Sequence, residues 1–114
     1  MERNPIDSRI GFADAEFKSY SKEDDTFVVD VLAWNESIIT IIFKDVIRIL
    51  DNDVNAISAF CEVIENNDFI QTALKRLYEG DLPSDHPYKH YQFLDNDDIP
   101  ALEVVSGSMD IQYS

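Results

Sequence analysis

Hydrophobic and polar positions alternate along much of this chain. From Ala13 to Phe17, Ala13, Ala15 and Phe17 fall on one side and Asp14 and Glu16 on the other, the period of a half-buried strand. Ser21 to Asp25 reads as a polar turn. Thr26 to Trp34 is a second strand, with Phe27, Val29, Val31 and Ala33 on one face and Val28, Asp30, Leu32 and Trp34 on the other. Asn35-Glu36 reads as a two-residue hairpin connection. Ser37 to Lys44 is a third strand, apolar on both faces through Ile38, Ile39, Ile41, Ile42 and Phe43, as expected of a central or doubly covered strand. In Asp45 to Asp53, Val46, Ile47, Ile49 and Leu50 fit either a short strand or a helical turn, and an extended segment leaving the sheet is the favoured reading.

The period then changes. Val54, Ile57, Phe60, Cys61 and Ile64 recur at steps of three and four, which predicts a helix over 54–65 capped by Asn52 or Asp53. Asn66-Asn67 interrupts it. A second helix starts with Asp68 as N-cap and carries Phe69, Ile70, Ala73, Leu74, Leu77 and Tyr78 as its apolar stripe. Lys75 and Arg76 sit where the helix dipole favours cations, and Gly80 suits the position past the end. The two helices can equally be one helix kinked at the asparagines. Tyr88 to Leu94 is a strand, Asp95 to Pro100 a turn, and Leu102 to Ser106 the last strand, with Met109, Ile111 and Tyr113 as its candidate continuation. The expected fold is α+β: an antiparallel sheet of about five strands packed against one or two helices, in the order βββ-α(α)-ββ. The expected core is Phe27, Val29, Ile41, Phe43, Ile57, Phe60, Leu74 and Leu77.

The chain has 114 residues, one domain, with residues 1–11 a loosely held lead-in. It holds 23 Asp and Glu against 9 Lys and Arg, a formal charge of −14. That balance argues against nucleic acid as a partner. An apolar content of 45% separates it from a disordered acidic tail. One cysteine excludes a disulfide framework, and no apolar run is long enough to cross a bilayer. A soluble cytoplasmic domain with no membrane association is expected.

No constellation of residues states a chemistry. His86 and His90 stand four apart, but Pro87 lies between them and no third ligand is evident, so they read as structural or surface residues and no metal or other cofactor is expected. Cys61 lies among apolar neighbours and reads as an inert thiol. Asp95-x-Asp97-Asp98 opens like a calcium loop, yet the sixth and twelfth positions are Pro100 and Ser106 rather than Gly and Glu. Trp34 either packs on the helices or is an exposed anchor.

The phrases Phe12-Ala13-Asp14-Ala15-Glu16 and Phe43-Lys44-Asp45-Val46 resemble those of small bacterial domains that include immunity proteins of polymorphic-toxin systems. The resemblance covers residues 12–50, and this chain has Ala13 where relatives often carry His. It implies a binding role without catalysis or cofactor. The expected function is therefore a non-enzymatic interaction domain, an immunity-type inhibitor that occludes a basic toxin or nuclease. Asp24, Asp25, Trp34, Asp95, Asp97 and Asp98 are its candidate partner-binding residues. The alternative is a structural or regulatory domain that oligomerises, as a homodimer, through its sheet. A small hydrolase ranks last.

Overall fold

A computed structural model describes residues 2–6 and 8–114. Strands are β1 (Arg3–Pro5), β2 (Ala15–Glu23), β3 (Thr26–Leu32), β4 (Ile38–Asp51), β5 (Ala56–Ile57), β6 (Ala59–Val63), β7 (Lys89–Leu94) and β8 (Pro100–Tyr113); the helix α1 spans Asp68–Leu77. Among the described residues these strands form one antiparallel sheet in the order β1-β6-β7-β8-β4-β3-β2-β5. The sheet rolls up until its ends meet. The stretch 56–63 pairs with β7 and β1 along β6, and with Ala15 and Glu16 of β2 along β5. The expected five-stranded α+β sheet with one or two helices is thus replaced by an eight-stranded roll carrying one short helix.

The correction falls on residues 54–65, where Ala56–Ile57 and Ala59–Val63 are strand and no residue is helical. Ile57 and Phe60 are three apart and both face the core, which mimics a helical step. The reason is Ser58, which breaks the strand. Its N–H donates to the Leu94 carbonyl at 2.8 Å and its hydroxyl to the Asp95 carbonyl at 2.7 Å. The break shifts the alternation by one residue, so that Ile57 and Phe60 point the same way. Phe60 then stacks on Phe93 with ring centroids 4.4 Å apart. Aromatic and β-branched residues suit this half-buried pleat.

Residues 45–53 do not leave the sheet. β4 is central, as its apolar faces imply, and stays paired with β8 as far as Asp51 opposite Leu102. Asp45 has a φ of 56°, and a bulge lies between Val46 and Arg48. Together they turn Ile47 toward the helix while Val46 and Ile49 stay on the core, which scrambles the alternation. Gly107 lies opposite this kink, where a Cβ would stand 3.0 Å from the Asp45 Cβ, so only glycine fits without a shift. The lead-in is tied down in part, since Arg3–Pro5 pairs with Val63 to Cys61. Met1 and Asp7 lie outside the described residues.

The core fills the inside of the roll. Phe27, Val29, Ile41, Phe43, Ile57, Phe60 and Leu74 are all buried, whereas Leu77 is 46% exposed. The helix is capped by Asn67, one residue before the expected Asp68. The Asn67 Oδ1 accepts the N–H groups of Phe69 and Ile70 at 2.9 and 3.2 Å, and Asp68 then occupies the first turn, where the dipole favours it. The buried helix residues Ile70, Ala73 and Leu74 pack with Val105 on the outside of the roll. α1 therefore covers only the half of the sheet built from β7, the first half of β8 and the second half of β4.

Candidate functional site

The other half of the sheet has an outer face that α1 does not cover. Val29, Val31, Ile39 and Ile41 are fully buried, so Val28, Asp30, Leu32, Ile38, Thr40 and Ile42 point outward by the strand alternation. All six are only half-buried. Register places Val28 beside Ile42, Asp30 beside Thr40 and Leu32 beside Ile38. On one flank β8 adds Asp110 beside Ile42 and Gln112 beside Thr40. On the other, β2 adds Ser21, Ser19 and Glu16. The Thr40 hydroxyl donates to Asp30 Oδ1 at 2.6 Å, which holds that carboxylate in the centre of the face. The result is two apolar cross-strand pairs among carboxylates, with Lys44 at one end.

Trp34 stands at the opposite end of this face. The chain turns there in a three-residue loop, Trp34-Asn35-Glu36, rather than the expected two. The Ala33 N–H donates to the Ser37 carbonyl at 2.8 Å and the Glu36 N–H to the Ala33 carbonyl at 3.0 Å. Glu36 has a φ of 67°, the left-handed position that closes such loops. The indole is 66% exposed, which settles Trp34 as an exposed side chain rather than one packed on the helix.

Asp24 and Asp25 form the β2–β3 turn at the other end. They line a shallow concavity with Ser21, Glu23, Thr26 and Val28. Nine residue rises separate Asp25 from Trp34, about 30 Å at strand rise. Asp95, Asp97 and Asp98 lie elsewhere, in the β7–β8 turn against Asn52 and Ser58. There Asp95 Oδ1 accepts the N–H groups of Asp97 and Ile99 at 2.8 and 3.0 Å, and Asp98 takes the left-handed position with a φ of 59°. The six candidate residues therefore split into Asp24, Asp25 and Trp34 on the open face and an acidic turn on the other half. Sequence reasoning missed Val28, Asp30, Leu32, Ile38, Ile42 and Asp110 as a surface. Its signal was present in the both-faced apolarity of β4, which the structure resolves into one core face and one half-buried outer face.

The residues with most chemical potential lie buried under the helix. His90 is 1% exposed. Its Nε2 lies 2.8 Å from Glu103 Oε1, and the Gln92 amide donates to the same oxygen at 2.7 Å. The Arg3 Nε donates to Gln92 Oε1 at 2.7 Å. Because the Asn67 oxygen is committed to the helix cap, its amide nitrogen faces His90 Nδ1 at 3.0 Å. That nitrogen must then accept, and the ring proton sits on Nε2 facing Glu103. Burial raises the Glu103 pKa, but the hydrogen bonds from His90 and Gln92, helped by the charge of Arg48, outweigh it and hold the carboxyl below its usual range. Phe69 of α1 stacks on His90 and carries the Arg48 guanidinium on its ring at 4.1 Å. This network fastens β7, β8 and β1 to the helix start.

His86 is separated from His90 and accepts the Tyr88 N–H at Nδ1. Among the described residues no three His, Cys, Asp or Glu side chains gather as a metal ion requires. Burial pushes the Cys61 thiol up against a smaller lowering by Arg3, which disfavours the reactive thiolate. Among the described residues no helix is long and apolar enough to cross a membrane. No family model, curated protein or solved structure matches the chain.

Proposed function

We propose that this chain is a protein-interaction domain of the immunity type, which inhibits a basic protein such as a toxin nuclease by occluding it with the open acidic face. The observation that carries the reading is that face: Val28–Ile42 and Leu32–Ile38 as apolar pairs, set among Glu16, Asp30 and Asp110 and ending at the exposed Trp34. The apolar pairs supply a centre that can be desolvated, and an indole at the margin is the side chain most often found as a strong anchor. The carboxylates speed encounter with a basic surface and reject acidic ones. The mechanism needs no proton transfer and no bound group. It needs the face to cover the partner's site for longer than a substrate would occupy it.

The test is binding kinetics on the partner recovered with the tagged chain from its native cell. The association rate should fall as salt rises, because screening shortens from about 10 Å at 0.1 M to about 3 Å at 1 M. The double change Asp30→Lys with Asp110→Lys should act mainly on association, and Trp34→Ala mainly on dissociation, by about 30-fold or more for a strong anchor. Reversal at Asp95, Asp97 and Asp98 should change little, since that turn lies on the other half of the sheet. A partner whose binding ignores salt, Asp30, Ile42 and Trp34 alike would sink this reading.

A further inference from the structure

We infer that the free edge of β8 pairs with the same edge of a second copy, about a two-fold axis at Ile111. Among the described residues, besides the two-residue β5, stretches of β1, β2, β4 and β8 pair on one side only. Three of these are guarded in the ways that block edge-to-edge association. β1 is three residues long and contains Arg3 and Pro5. β2 has a bulge between Phe17 and Ser19, followed by Lys22 and Glu23. β4 has its bulge between Val46 and Arg48, with Arg48 and Asp51 beyond it. The second half of β8 is different. β7 covers β8 only as far as Ser106, and among the described residues Ser108 to Tyr113 continue paired to β4 alone, without proline, bulge or cation in the strand itself; Arg9 reaches Tyr113 only through its ring and hydroxyl.

Hydrogen-bond parity fixes which groups this edge offers. The Ser114 N–H donates to the Ile38 carbonyl at 3.1 Å, so residues 108, 110 and 112 also turn their backbone groups toward β4. Met109, Ile111 and Tyr113 turn theirs to the free edge. An antiparallel match with Ile111 opposite Ile111 brings Met109 opposite Tyr113, and all three residues pair through outward groups. Asp110 then faces Gln112 of the second copy, so no carboxylate opposes another directly. The interface is isologous and closes on itself. It leaves the open face of each copy free and joins the two faces side by side. The edge is short and each copy carries −14, so the pair is weak and concentration-dependent, and salt strengthens it. That salt response is opposite to the one expected for a basic partner, so the two readings fail separately.

The experiment is sedimentation of the full chain over a concentration series, at low and high salt. The expected result is a monomer–dimer equilibrium that tightens with salt. Gln112→Asp places a carboxylate opposite Asp110 at two symmetric positions and should weaken the dimer about 2- to 30-fold, while Gln112→Lys should strengthen it by a similar factor. Ile111→Pro removes a backbone donor that faces only the free edge and should leave a monomer. Position 112 is exposed, so its variants decide the matter if the proline variant fails to fold. A chain that stays monomeric throughout, or a dimer indifferent to both changes at position 112, overturns the pairing and leaves this edge to a strand from another protein.

Discussion

Replacing Glu103 by glutamine tests the buried network at its central carboxylate. The amide is nearly isosteric, so its oxygen can still accept from His90 and Gln92, now 2.8 and 2.7 Å from Oε1. What changes is that two charge-assisted bonds become neutral ones, each weaker by about 1 kcal/mol. Burying an amide also costs less than burying a carboxylate, which returns part of the loss. The net effect at neutral pH is a destabilisation of about 1 kcal/mol. The pH dependence carries the sharper test. The folded Glu103 has a pKa below its ordinary 4.5, so its stabilising contribution is complete above that ordinary value and is lost as pH falls through the folded one. Urea unfolding of parent and Glu103→Gln, followed by circular dichroism from neutral pH to about pH 3, should therefore show a gap that closes at the acid end. A gap that persists unchanged there would refute the linkage. A variant more stable than the parent at neutral pH would show that burial outweighs the hydrogen bonds, and that the carboxyl is raised rather than lowered.

Phe60→Ala should cost about 3–5 kcal/mol in the same urea titration, through lost burial and the cavity left beside Phe12, Phe43, Tyr91 and Phe93; a loss below about 1 kcal/mol would remove Phe60 from the core. Glu36→Gly should raise stability by about 0.5–1 kcal/mol, since relief at a φ of 67° exceeds the added chain entropy, and a fall in the denaturation midpoint would contradict the loop geometry. Asn67→Ala should cost about 1–2 kcal/mol through the lost cap, and Asn67→Ser should recover the cap share while leaving His90 Nδ1 without its amide partner. Equal losses in the two variants would show that the cap contributes nothing measurable.

The parts of the fold that were legible are those where alternation runs unbroken. β3 and the first half of β4 show it residue by residue, and α1 shows a helical stripe with cations in its last turn. The failures share one physical cause, a local change of phase that a periodic reading cannot see. Ser58 breaks a strand so that Ile57 and Phe60 imitate a helix. Asp45, in left-handed backbone, and the bulge after Val46 rotate the remainder of β4. Neither feature has a marker in composition, because here aspartate and serine occupy positions where glycine would have announced an irregularity. The site was legible only at its two ends, in Asp24-Asp25 and Trp34. Its middle required the register, since only pairing reveals that Val28 meets Ile42 on the outer face.

The same substitution of acid for glycine changes what the −14 charge means. Asp14, Asp24, Asp45, Asp53 and Asp98 all hold positive φ values between 54° and 59°, a conformation that aspartate tolerates better than most residues. Asp51 and Asp95 use a side-chain oxygen to accept backbone N–H groups two to four residues on. These seven of the 23 acidic residues have local reasons to be acidic that involve no partner. In a chain with three glycines, turn geometry alone thus generates much of the negative field. Among the carboxylates that turn geometry does not explain are those on regular strand, above all Asp30 between Val28 and Leu32, and Asp110 beside Ile42. A charged residue in mid-strand gains nothing from backbone conformation and lies among apolar neighbours that disfavour it. Charge reversal should therefore separate two populations. At the turns away from the open face, such as Asp53 and Asp98, it should change stability and leave association unaffected, and at Asp30 and Asp110 it should slow association with little effect on stability.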